Sequence, residues 1–64
     1  MQAIARDGTY VTTSGRSTIT TSAGEAYQMA GSFLTGPGGI LSSNCKSINE
    51  AFATILGLHG GRRI

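Results

Sequence analysis

Between Ser47 and Leu58 the chain reads SINEAFATILGL, and no other stretch limits the fold as tightly. On a helix, Ile48, Ala51, Phe52, Ile55, Leu56 and Leu58 fall within an arc of about 160°. Asn49, Glu50, Ala53, Thr54 and Gly57 take the other side. Large apolar residues on one side and small or hydrophilic ones on the other predict a core-facing helix. Its start is written as well. Ser47 stands three residues before Glu50, the S-x-x-E capping box, so hydroxyl and carboxylate each satisfy an amide of the first turn. Gly60 or Gly61 offers the left-handed residue that ends a helix.

The same phrase occurs once more. Ser22-Ala23-Gly24-Glu25-Ala26-Tyr27 matches Ser47-Ile48-Asn49-Glu50-Ala51-Phe52 as S-x-x-E-A-aromatic. This predicts another helix over 22–35, capped by Ser22 and Glu25. Its apolar arc comprises Ala23, Ala26, Tyr27, Ala30, Phe33 and Leu34. Gly36-Pro37-Gly38-Gly39 would end it, because Pro lacks the amide and Gly permits the turn.

Upstream, Thr9 to Thr13 and Ser17 to Thr21 are rich in β-branched residues and flank Ser14-Gly15-Arg16. That pattern predicts a β-hairpin with Val11 opposite Ile19. The fold expected is α+β: an N-terminal β-hairpin followed by two capped amphipathic α-helices. Its segments are an arm at 1–7, a hairpin at 8–21, helices at 22–35 and 47–59, a loop at 36–46 and a tail at 60–64. The alternative is a mainly α chain whose N-terminal third is disordered, since 1–21 holds few apolar residues.

Size bears on function. Sixty-four residues make one small domain, which buries only about 60% of its unfolded surface. One cysteine excludes an internal disulfide, and one His with one Cys cannot supply a four-ligand zinc site. Charged residues are 12% of the chain against about 25% in ordinary domains, and the net charge is +2. Low charge and small size both favour life inside an assembly. The basic residues Arg6, Arg16, Lys46, Arg62 and Arg63 are spread along the chain, which weighs against nucleic-acid binding. Residues 26–45 are uncharged, but Gln28, Asn44 and the Gly-Pro-Gly-Gly breaker exclude a transmembrane span. The opening MQAIARDG shows no signal peptide, and a cytoplasmic or in-assembly setting is expected.

No catalytic constellation emerges. Cys45, just before the later helix and beside Lys46, is a candidate reactive thiol. His59 would lie about 18 Å of helix rise away from it, too far for a dyad within one chain. Asp7 is isolated, and capping accounts for Glu25 and Glu50. Gly39 to Ser47 fails as a phosphate loop, because Cys and not Gly precedes Lys46. No cofactor, metal or small-molecule substrate is expected. The reading is a non-enzymatic structural or adaptor subunit that completes its core by self-assembly or by docking on a larger protein. Tyr27, Phe33, Ile40, Leu41, Ile48, Phe52, Ile55 and Leu56 are its candidate interaction residues. A small nucleic-acid-binding regulator and a secreted antagonistic peptide are the alternatives.

Overall fold

The computed structural model describes residues 1–63, so the expected tail at 60–64 reaches one residue past the described part. Strands β1 (Gln2–Ile4), β2 (Tyr10–Ser14), β3 (Thr18–Thr21), β4 (Ala26–Ala30), β5 (Phe33–Gly36) and β6 (Gly39–Ser42) precede helix α1 (Ile48–Leu58). The strands form one antiparallel sheet in the order β1-β2-β3-β4-β5-β6, each paired with its sequence neighbours.

The two-helix architecture is therefore wrong, and so is the mainly α alternative. Residues 22–35, expected as a helix, hold the β3–β4 turn, all of β4 and most of β5. Ser22 and Glu25 cap no helix. The Ser22 hydroxyl accepts from the Tyr10 amide at 2.8 Å, and the Glu25 carboxylate accepts from the Thr21 hydroxyl at 3.1 Å. Gly31 and Ser32 make the two-residue turn between β4 and β5, with Ala30 opposite Phe33 and Gly31 at φ +61°. A glycine at the first central position suits the right-handed twist of a tight hairpin. The expected loop at 36–46 contains β6.

The N-terminal third is ordered. β2 and β3 form the expected hairpin, but Thr13 and not Val11 stands opposite Ile19. The slip is two residues, so both apolar side chains keep their common face. That face, with Val11, Ile19, Tyr27 and Leu34 buried, is the one α1 covers. The other carries Thr12 opposite Thr20, and Gln28 between Thr18 and Thr35. Threonine here supplies β-branched residues that tolerate water, as a sheet covered on one side requires.

Helix α1 starts where its cap predicts. The Ser47 side chain accepts from the Glu50 amide at 3.3 Å, while the Glu50 carboxylate reaches back to the Lys46 amide at 3.1 Å. The helix ends in a Schellman arrangement, with Gly61 N–H donating to Leu56 C=O and Gly60 N–H to Gly57 C=O. Ala51, Phe52, Ile55 and Leu56 are buried against the sheet together with Ala5 and Cys45. Leu58, placed on the apolar arc by pattern, is exposed. Replacing Ser47 with Ala is expected to cost about 1 kcal/mol. A thermal melt should then fall by about 4–8 °C, and Ser47→Asp should restore it.

Candidate functional site

Two features of the molecule go beyond ordinary packing. One is a cluster of three titratable side chains at the end of α1. The other is the β6 end of the sheet.

The cluster is built by three turns. His59 is the C-cap of α1, and the helix end carries it over the sheet. Asp7 lies in the β1–β2 turn, where its Oδ1 accepts from the Thr9 amide at 2.8 Å. Glu25 leads into β4. His59 Nδ1 is 2.7 Å from Asp7 Oδ2, and His59 Nε2 is 2.9 Å from Glu25 Oε1. Carboxylate oxygens only accept, so both contacts are hydrogen bonds together only when the ring carries a proton on each nitrogen. The Thr9 hydroxyl lies 3.3 Å from Nδ1. A protonated ring offers it no lone pair, which leaves the hydroxyl proton to Asp7.

The electrostatics agree. Glu25 and then Asp7 hold the His59 pKa above its ordinary value of 6.5. The hydroxyl and amide of Thr9, and then His59, hold Asp7 down at about 2. His59 and then Thr21 lower Glu25. Burial, and then the neighbouring Glu25, raise the Tyr27 phenol. The Asp7 side chain is 46% exposed and Glu25 32%, so solvent screens the Asp7 arm more. In the protonated form each ring nitrogen faces a carboxylate. The arrangement fastens the end of α1 to two turns of the sheet.

The pH dependence follows in sign. The imidazolium contributes fully below 6.5, and its contribution fades as pH rises through the raised folded pKa. The carboxylates contribute above their ordinary values of 3.8 and 4.5, and lose that contribution as pH falls through the lowered ones. Thermal stability is therefore expected to be highest between those limits. His59→Gln should flatten the alkaline decline. Identical melting profiles above neutrality for the two proteins would remove the clamp from the account.

Nothing in the sequence joins these three residues, which are separated by up to 52 positions. The Asp7-Gly8 turn signal was visible. That His59 would reach it was not, because the link exists only once a six-strand meander brings the helix end back over the first turn.

The structure divides the candidate interaction residues into two groups. Tyr27, Phe52, Ile55 and Leu56 are buried together between sheet and helix, with Ile48 packed against them. Phe33, Ile40 and Leu41 are exposed on β5 and β6. Cys45 joins the core, its thiol donating to the Ser47 carbonyl at 3.4 Å. A cleft of about 230 Å³ separates Glu25 and Tyr27 from the turn that leads into β6. Among the described residues no group of His, Cys, Asp and Glu has the form of a metal site, and no helix is long and apolar enough to cross a membrane.

No protein-family model matches this chain, and no curated protein or solved structure resembles it significantly.

Proposed function

We propose that this chain is a non-enzymatic structural or adaptor subunit that docks on another polypeptide through the β6 end of its sheet. The observation that carries this reading is the exposure of Ile40, 66%, on an uncharged edge strand next to Leu41 and Phe33. An apolar edge strand is a template for a further strand. The clamp at His59 supports the same reading, because it spends the titratable groups of that cluster on holding the fold. Recovering the tagged chain in its native complex and measuring the mass is the test. The complex should be heavier than the 6.6 kDa chain and should be lost in Ile40→Lys. A folded chain that is solitary in its native setting would refute the reading.

One observation favours a second reading, a small nucleic-acid-binding protein. Arg6 and the adjacent pair Arg62-Arg63, far apart in the sequence, converge at the β1 end. Arg62 bridges to Ala5, and the Arg63 guanidinium lies 3.5 Å from the Arg6 carbonyl. Tyr10, paired with Ile4 on the neighbouring strand, is exposed nearby. Oligonucleotide binding that weakens steeply with salt would support this reading, and no binding at low salt would dismiss it.

A further inference from the structure

His59 stands between two acceptors, and its two nitrogens are unequal. Nδ1 lies 2.7 Å from Asp7 Oδ2 on the exposed side, and Nε2 lies 2.9 Å from Glu25 Oε1 on the part-buried side. The ring belongs to the end of α1, Asp7 to the β1–β2 turn and Glu25 to the approach to β4. Other titratable groups stand near. The Tyr27 phenol neighbours Glu25, and the Arg63 guanidinium reaches the Arg6 carbonyl of the β1–β2 turn at 3.5 Å. Among the described residues neither arginine is ion-paired with Asp7.

A neutral ring has one N–H and must give up one carboxylate. With the proton left on Nδ1, the Nε2 lone pair points at the Glu25 carboxylate. Among the described residues Glu25 is the one hydrogen-bond partner of Nε2, so no donor is at hand to satisfy that lone pair. Its part-buried setting also keeps water from doing so.

With the proton left on Nε2, the bond to Glu25 stays and the Nδ1 lone pair faces Asp7. Here a donor waits, because the Thr9 hydroxyl is 3.3 Å from Nδ1. Turned toward the ring, that hydroxyl satisfies the lone pair. Asp7 is also the easier carboxylate to release. Its side chain is 46% exposed against 32% for Glu25, so water replaces the lost bond. Its Oδ1 keeps the Thr9 amide at 2.8 Å.

We infer that loss of one proton from His59 passes Nδ1 from Asp7 to the Thr9 hydroxyl and unlatches the β1–β2 turn, while Nε2–H keeps the end of α1 on Glu25. The ring is a pH-operated catch that lets go on one side only. The turn is then left with backbone bonds to the helix end, from the Asp7 amide to the His59 carbonyl at 3.2 Å and from the Arg6 amide to the Gly61 carbonyl at 2.9 Å. What loosens is the arginine-bearing end of the sheet, and it loosens as pH rises through the raised pKa of His59.

The chain has a single histidine, so ring-nitrogen magnetic resonance of the full chain across pH reads this ring alone. In acid both nitrogens should carry the N–H signature. Above the titration Nε2 should keep it and Nδ1 should take the lone-pair signature, with Nε2–H in at least about threefold excess over Nδ1–H. Amide exchange, corrected for its intrinsic pH dependence, is the second readout. The Thr21 amide donates to the Glu25 carbonyl at 3.0 Å and serves as reference. Relative to it, protection of the Asp7 amide should fall by at least about threefold over the same titration. Thr9→Val removes the hydroxyl and should lower the tautomer ratio by about two- to tenfold, whereas a His59 that merely packs would not respond to residue 9. An excess of Nδ1–H, or a smaller excess of Nε2–H, overturns the inference. So does a ring that holds both protons until the chain unfolds, a smaller change at the Asp7 amide, or a ratio that ignores Thr9→Val. If Thr9→Val fails to fold, the tautomer and the exchange of the unsubstituted chain decide the matter.

Discussion

Gly36→Ala is expected to remove most of the stability of this protein, although it adds only a methyl group. Gly36 lies in β5 beneath the ring of Tyr27. A Cβ built there would stand 2.5 Å from both Cδ2 and Cε2 of that ring. The backbone of Gly36 lies outside the left-handed region, so alanine meets no conformational obstacle and the whole cost is steric. The room open to the ring is the cleft that it lines together with Gly36, so it can move only by giving up its packing in the core. Tyr27 is only 4% exposed, and it stands opposite Ile19 of β3, which is fully buried. Making room means expelling the ring or spreading the sheet, and losing a buried aromatic costs about 3–5 kcal/mol. A chain of this length has about 3–10 kcal/mol in all. The melting temperature should therefore fall by about 15–25 °C, if a folded state survives at all. A double-mutant cycle separates this cause from others. In a Tyr27→Leu background the clash is gone, and Gly36→Ala should cost far less than it does alone. Additive costs would show that the ring is not the obstacle.

The same pair of residues shows why the sequence was only partly legible. Tyr27, Ala30 and Leu34 satisfy a helical spacing, but Tyr27 and Met29 also satisfy a strand alternation. The choice rested on the capping phrase at Ser22 and Glu25, whose residues serve a turn as well as they serve a helix. A counter-signal was present. Gly31-Ser32 is a two-residue hairpin dipeptide, and the aromatics beside it favour strands. Reading it as a turn would have split 22–36 into β4 and β5. The later helix was legible because the apolar arc of 48–56 has no competing alternation, and because both of its ends carry cap chemistry. The cluster at His59 was not legible at all. Its partners belong to separate turns that only the closed meander superimposes. The β6 edge lay between these cases. Ile40 and Leu41 stood out as apolar residues in a supposed loop, and what the pattern could not show was that they belong to the last strand of the sheet.

Ile55→Ala is the complementary experiment, because it asks whether sheet and helix are one folding unit. Among the described residues α1 is the only helix, and the apolar face formed by Val11, Ile19, Tyr27 and Leu34 is buried in one cluster with it. Ile55 is fully buried in that cluster, beside Ala51, Phe52 and Leu56. Removing three carbons there leaves a cavity that rigid strands close poorly, at a cost of about 2–5 kcal/mol. Thr54→Ala on the exposed side is the control. It loses only the hydroxyl bond to the Glu50 carbonyl at 2.8 Å and gains helix propensity, so a shift within about 0.5 kcal/mol is expected. Urea unfolding of Ile55→Ala should be followed, in a Tyr10→Phe background, by far-ultraviolet circular dichroism, which sees the helix, and by tyrosine fluorescence, which then sees only Tyr27 in the core. If the short strands depend on the helix for their burial, the two signals move together to a lower midpoint with an unchanged slope. A helix signal lost first, with the tyrosine signal left in place, would mean that the meander holds its shape uncovered. Burial under α1 would then not be what selects this fold.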